Sequence, residues 1–132
     1  MIVVDASALA AFILREEGWR ALAKYLVYAL SVDHVVKEVA NAIWKATYLR
    51  GFLSEEEARK AYTLLRKMIG KNILLELELD YVEHALEISM SWGVTLYDAL
   101  YLALALEKGL PLLTLDAKQR EIAVKLGLAI KP

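Results

Sequence analysis

The 132-residue sequence contains no cysteine, two prolines and six glycines. The absence of cysteine excludes disulfide bonds, thiolate metal ligands and a cysteine nucleophile, and it is compatible with a reducing cytosol. The sequence has no linker rich in glycine, serine or proline, no low-complexity tract and no internal repeat. We therefore expect residues 1–132 to form a single globular domain, which at this length buries about two-thirds of its unfolded surface.

The sequence also lacks an excess of either charge and a long apolar run. Its 16 basic and 17 acidic residues give a formal net charge of −1, so it has no strongly basic surface that would bind nucleic acid by charge alone. The apolar residues 1–14 have no basic residue at their start and are interrupted by Asp5, and no stretch reaches transmembrane length. We expect a cytoplasmic protein that does not associate with a membrane.

Short apolar runs alternate with helix-forming patterns along the chain. The runs are too apolar to place every second residue in solvent, which is typical of the buried strands of a parallel sheet. Strands are predicted at residues 2–4, near 31–32, and at 73–79, 111–115 and 128–130. Helices are predicted at 7–14, 18–30, 33–48, 54–69, 80–93, 95–109 and 117–126. The alternation predicts a three-layer α/β/α fold around a central parallel sheet.

Capping residues mark most of the predicted helix starts. A side-chain oxygen at this position accepts a hydrogen bond from a free backbone N–H of the first turn. Three pairs fit the capping-box pattern, namely Ser54 with Glu57, Asp80 with Glu83, and Thr95 with Asp98. Ser7, Asp33 and Asp116 are predicted to act as single caps.

Four acidic residues from distant segments are predicted to meet at one edge of the sheet. Asp5 and Asp116 directly follow predicted strands, whereas Glu38 and Asp98 lie in the first two turns of predicted helices. Ligands of parallel α/β sheets bind at the carboxyl ends of the strands. Asp98 lies in a helix that is apolar almost all the way round, where an isolated buried carboxylate would cost several kcal/mol. A partner for these carboxylates is therefore expected.

A divalent cation would supply that partner. Carboxylates crowded in one cleft repel each other and raise one another's pKa values unless a cation neutralises them. The sequence offers oxygen ligands, while His34 and His84 are isolated, and this set suits Mg²⁺ or Mn²⁺ better than Zn²⁺. Mg²⁺ binds through a few carboxylates together with water and substrate phosphate oxygens, which fits phosphodiester hydrolysis.

Each acid also has an explanation that needs no metal. Asp5, Asp98 and Asp116 could cap helices, and Glu38 could pair with Lys45 on a solvated flank. The residues therefore leave open a non-catalytic interaction domain. They also leave open a phosphatase of the aspartyl-phosphate type, which carries an Asp after its first strand. Such phosphatases have a second acid where this sequence has Ser7.

Four stretches taken together resemble a known family. VVDASAL, VVKEVANAIWK, TLYDALYLALA and LLTLDAKQREIA, in this order along the whole chain, are similar to the PIN domain, most closely to the VapC toxins of prokaryotic toxin–antitoxin pairs. The resemblance implies Mg²⁺- or Mn²⁺-dependent endonucleolytic cleavage of RNA. The matching metal-binding and catalytic positions are Asp5, Glu38, Asp98 and Asp116.

The resemblance implies further residues and partners. Thr114 matches a hydroxyl residue often found beside the last acid, and Asn41 matches a frequent asparagine one turn after the glutamate. VapC-like proteins are silenced by a small antitoxin that lies across the active site, so a cognate VapB-like antitoxin is expected. A homodimer or a higher homo-oligomer is expected as well.

Overall fold

The computed structural model describes all of residues 1–132, which form five strands, several helices and the segments that connect them. The strands are β1 (Ile2–Val4), β2 (Ala29–Val32), β3 (Ile73–Glu76), β4 (Leu112–Leu113) and β5 (Ile130–Lys131). The α-helices are α1 (Ala6–Ile13), α2 (His34–Trp44), α3 (Glu55–Met68), α4 (Val82–Trp92), α5 (Leu96–Lys108) and α6 (Ala117–Lys125). Two 3-10 segments (Trp19–Tyr25 and Glu78–Asp80) and one π-helical turn (Lys45–Leu49) complete the chain.

The five strands form one parallel sheet in the order β3-β2-β1-β4-β5. Helices α1, α2 and α3 pack against one another, while α5 packs on β1 and β2 and also contacts α4. This arrangement confirms the predicted three-layer α/β/α fold with a central parallel sheet. The strand order reverses between β1 and β4, and the crevice at such a reversal is where open α/β sheets bind ligands.

Helix α5 contains the longest unbroken run of buried residues in the fold. All seven residues from 99 to 105 are buried, which explains why its sequence is apolar almost all the way round. Thr95 caps its start by accepting a hydrogen bond from the backbone N–H of Asp98 at 3.2 Å. Gly109 ends it in the left-handed region at φ 64°, which glycine adopts without steric cost. The buried helix therefore fixes the position of Asp98 firmly.

Some predicted caps are confirmed. Ser54 and Glu57 form the complete capping box of α3, with bonds of 3.1 and 3.0 Å. Asp116 caps α6 by accepting from the backbone N–H of Gln119 at 2.8 Å. Thr95 forms only its own half of the third box, because no bond runs from the Asp98 carboxylate to the Thr95 backbone N–H.

Other predicted caps are wrong. Asp5 rather than Ser7 caps α1, since the Ser7 hydroxyl is used by the Asp5 carboxylate and by a neighbouring loop. Asp33 does not cap α2, because its carboxylate accepts from the backbone N–H of Glu78 at 3.0 Å. The Asp80 box does not form, because the 3-10 turn places Tyr81 at the start of α4.

Several predicted boundaries also differ from the structure. The predicted helix at 18–30 is a 3-10 helix that ends at Tyr25, and Ala29 already pairs with Ile73 as the first residue of β2. The helix predicted at 33–48 continues beyond Trp44 only as a π-helical turn. The strand predicted at 73–79 stops at Glu76, and a 3-10 turn begins at Glu78. Helices in the structure are too short or too polar to cross a membrane.

Candidate active site

All four predicted acids line a single pocket of about 250 Å³. Asp5 follows β1 and Asp116 follows β4, the two strands that flank the reversal of the sheet. Glu38 comes from the second turn of α2, and Asp98 from the first turn of α5. Ala6, Ser7, Ala10, Ala42 and Tyr101 complete the lining. The structure therefore brings together carboxylates that are up to 111 residues apart in sequence.

Asp5 is the most deeply buried of the four acids, with 4% of its surface exposed. Its Oδ1 accepts from the Ser7 hydroxyl at 2.6 Å and from the Ala8 backbone N–H at 3.1 Å. Its Oδ2 accepts from the Thr114 hydroxyl. Burial raises the pKa of Asp5 to about 6, and the hydrogen bonds oppose this rise only in part. Asp5 thus caps α1 and also presents a carboxylate to the pocket.

The hydroxyls of Ser7 and Thr114 tie the end of β1 to the end of β4. The Ser7 Oγ accepts from the Leu115 backbone N–H at 2.9 Å, and the Thr114 Oγ1 accepts from the Asp116 backbone N–H at 3.1 Å. Because both hydroxyls also bond Asp5, the turn that carries Asp116 is held against Asp5. Thr114 therefore lies beside the acids, as its match in the resemblance implies.

Gln119 connects the starts of α5 and α6 and was not among the predicted site residues. Its side-chain Nε2 donates to the backbone oxygen of Asp98 at 2.9 Å, and its backbone N–H donates to Asp116 at 2.8 Å. The residue is 1% exposed. Its Oε1 is buried without a hydrogen-bond partner. A polar residue on the buried face of a helix was the signal that could have identified it.

Asp98 shows the repulsion expected of crowded carboxylates. Burial raises its pKa, and the nearby carboxylates of Asp116 and Glu38 raise it further. A side-chain hydrogen bond with Thr95 and the charge of Lys118 lower the pKa of Asp98 in part, but no lysine or arginine lines the pocket. The protein itself therefore leaves an excess of negative charge in the pocket.

Glu38 is held by two residues that the sequence analysis did not identify as site residues. Its Oε1 accepts from the Tyr101 hydroxyl at 2.7 Å and lies 3.3 Å from Nε2 of His34. The alternative partner Lys45 forms no ion pair with it. Spacing offered a signal in both cases, because Tyr101 lies three residues after Asp98 and His34 lies four residues before Glu38 on a helix.

The match to known proteins agrees with this geometry. The sequence pattern of the PIN domain family matches residues 2–125. The chain belongs to the PIN domain family. This PIN domain is similar to "Ribonuclease VapC3" of Pyrobaculum aerophilum, with 35% identity over 134 residues that cover 99% of this chain and 98% of that protein. The finding confirms the resemblance and removes support from the aspartyl-phosphate alternative.

A solved structure has the same fold as this PIN domain. The crystal structure of PAE2754 from Pyrobaculum aerophilum matches with a TM-score of 0.65 and 25% sequence identity. The match covers 96% of this chain and 94% of that one. Asn41, the second residue that the resemblance implied, is exposed on α2 and does not line the pocket.

The oxygen donors of this PIN domain suit a hydrated Mg²⁺ or Mn²⁺ ion. No three acidic or histidine side chains are arranged to enclose a cation directly. Mg²⁺ keeps several of its waters and needs only one or two direct carboxylates. The excess negative charge of the pocket and the carboxylate-only donors therefore fit such an ion, and they do not fit a closed zinc site.

Proposed function

We propose that this chain is a divalent-metal-dependent endoribonuclease and the toxin of a VapBC-type pair, acting in the cytoplasm as a single nuclease domain over residues 1–132. The observation that carries the proposal is the convergence of Asp5, Glu38, Asp98 and Asp116 on one pocket. The similarity to a protein called Ribonuclease VapC3 supports RNA as the substrate. The absence of a cationic side chain in the pocket supports a metal ion as the source of positive charge.

In this proposal the four carboxylates would hold a hydrated Mg²⁺ or Mn²⁺, in part through its water molecules, and substrate phosphate oxygens would complete its ligands. When bound, the cation supplies Lewis-acid stabilisation of the phosphate and makes a water molecule more acidic. Ser7 and Thr114 keep the Asp5 carboxylate in a fixed orientation through their hydroxyl donors. Hydrolysis adds one water across a P–O bond and leaves one phosphate end and one hydroxyl end.

A cleavage assay with single-residue variants tests the proposal. Purified protein is incubated with end-labelled, unstructured RNA or single-stranded DNA of the same sequence in the presence of Mn²⁺. We expect internal cleavage of the RNA, and a rate lower by about 100-fold or more for Asp5→Asn, Glu38→Gln, Asp98→Asn or Asp116→Asn. Glu121→Gln, an exposed acid on α6, is the matched control and should cleave normally. Full activity in any two of the four variants would contradict the site assignment.

The proposed partners are a VapB-like antitoxin and a second copy of the chain. Trp44, Tyr48 and Phe52 are 49, 75 and 73% exposed, and the first two line an apolar pocket of about 580 Å³. Exposed apolar area of this kind marks protein interaction sites. We expect the gene to lie beside a short reading frame that encodes this antitoxin, and co-expression of the two should yield a larger complex in size-exclusion chromatography, with cleavage suppressed. Unchanged size and activity would remove the toxin assignment and leave the nuclease proposal standing.

A further inference from the structure

One oxygen of Glu38 is occupied by the protein, and the other is not. Both the Tyr101 hydroxyl at 2.7 Å and His34 Nε2 at 3.3 Å contact Oε1, whereas no hydrogen bond from the protein uses Oε2. A carboxylate on a long, partly exposed side chain samples several rotamers unless it is held. The contacts therefore fix Glu38 and leave Oε2 available to a ligand.

Tyr101 is well placed to fix this carboxylate. It lies on helix α5 with 1% of its surface exposed, so its ring is held by the surrounding core while its side chain borders the pocket. It also lies one helical turn after Asp98, on the same face of α5. Its hydroxyl consequently ties Glu38 of α2 to the helix that carries a second carboxylate of the pocket.

We propose that Tyr101 is a positioning residue whose hydroxyl holds Glu38 by Oε1 and so presents Oε2 for a divalent cation. This inference rests on the proposed function, because it takes Glu38 as a metal ligand. Partners that orient a metal ligand contribute about 10- to 100-fold to metal affinity in other metalloproteins. Tyr101 does not contact the substrate in this proposal, so its removal should change metal binding and leave RNA binding intact.

A second tyrosine–carboxylate hydrogen bond, outside the acidic pocket, provides a matched control for the loss of stability alone. Tyr81 is 5% exposed, and its hydroxyl donates to Glu76 at 2.6 Å. Neither residue lines the acidic pocket. Tyr81→Phe and Tyr101→Phe therefore delete equivalent buried hydroxyl–carboxylate bonds, one outside the pocket and one inside it.

The test measures Mn²⁺ binding directly, without RNA, by the loss of the free-Mn²⁺ signal in electron paramagnetic resonance. We expect the dissociation constant for Mn²⁺ to rise about tenfold in Tyr101→Phe and to stay unchanged in Tyr81→Phe. The Mn²⁺ concentration for half-maximal RNA cleavage should rise with it, while the KM for RNA at saturating Mn²⁺ should not change. In a Glu38→Gln background, Tyr101→Phe should have no further effect on Mn²⁺ binding.

The outcomes separate this inference from the proposed function. If Glu38→Gln weakens Mn²⁺ binding and cleavage but Tyr101→Phe leaves Mn²⁺ binding unchanged, the positioning role is overturned and the nuclease proposal stands. Equal weakening in Tyr81→Phe, or an additive effect of Tyr101→Phe in the Glu38→Gln background, also overturns it. If Glu38→Gln binds Mn²⁺ and cleaves RNA like the wild type, the role of Glu38 in the proposed function fails first, and the inference fails with it.

Discussion

Replacing Asp5 with asparagine should change how the stability of the metal-free protein depends on pH. The Asp5 carboxyl is 4% exposed, and burial raises its pKa from 3.8 to about 6. A difference of this size corresponds to about 3 kcal/mol between the two protonation states. The fold therefore opposes ionisation of Asp5 when no cation is bound.

The direction of the pH effect follows from proton linkage. Because the folded pKa lies above the unfolded one, the folded state binds more protons between about pH 4 and pH 6. The contribution of Asp5 to the free energy of unfolding is therefore most favourable in acid and declines as the pH rises through this range. It levels off above the folded pKa of about 6. Asparagine cannot ionise, so the variant lacks this decline.

The size of the effect can be separated from other consequences of the substitution. The asparagine Oδ1 can still accept from Ser7 and Ala8, while its amide must donate to Thr114, whose hydroxyl would turn round. This cost is the same at every pH. The free energy of unfolding of Asp5→Asn minus that of the wild type should therefore increase by about 2 kcal/mol as the pH rises from about 4 to about 7.

Urea unfolding in the presence of EDTA at a series of pH values measures this difference. Glu57→Gln serves as a control of opposite sign, because bonds from the Ser54 backbone and hydroxyl lower the pKa of the exposed Glu57. Ionised Glu57 stabilises the fold above its unfolded pKa, and this contribution is lost in acid. Glu57→Gln should therefore be less stable than the wild type near neutrality and approach the wild type in acid. A difference for Asp5→Asn that does not vary with pH would refute the reasoning from burial.

Three further variants test other parts of the structure. Asp98→Asn removes one of the crowded charges, so the stability of the metal-free protein should stay level or rise by about 1 kcal/mol. Mn²⁺ binding and RNA cleavage should be lost. Thermal melts with and without Mn²⁺ measure the stability and the metal binding, and a cleavage assay measures the activity. Thr114→Val leaves buried partners of the hydroxyl unsatisfied and should cost about 1–3 kcal/mol in urea unfolding; a cost below about 0.5 kcal/mol would argue against that role. Ser54→Ala removes a cap outside the pocket and should cost about 1 kcal/mol without affecting cleavage; slower cleavage would contradict its separation from the site.

The fold and the four carboxylates were accessible from the sequence because both depend on local patterns. Buried parallel strands are short apolar runs that can be recognised in the sequence. Each of the four acids either follows such a predicted strand or lies in the first two turns of a predicted helix. The capping and pocket-lining explanations of Asp5 and Asp116 turned out to be compatible, since one carboxylate oxygen can satisfy a helix N–H while the side chain borders the pocket.

The features that the sequence did not reveal depend on contacts between distant segments. Asp33 has the local pattern of a cap, but the backbone of Glu78, 45 residues away, provides its partner. The bonds from Tyr101 to Glu38 and from Gln119 to Asp98 likewise join different helices. The segment 18–30 has a helical pattern, but pairing of Ala29 with β3 ends it early. Tertiary contacts override local preference in each case.

The central claim is that the acidic pocket cleaves RNA only with a divalent cation. The most direct test is one time course of RNA cleavage by the wild-type protein in which EDTA is added and excess Mn²⁺ is then restored, run beside Asp116→Asn as the inactive reference. The account predicts that internal cleavage stops with EDTA, resumes with Mn²⁺ and is absent from the variant throughout. Cleavage that continues in EDTA at the original rate, or equal cleavage by Asp116→Asn, would contradict it.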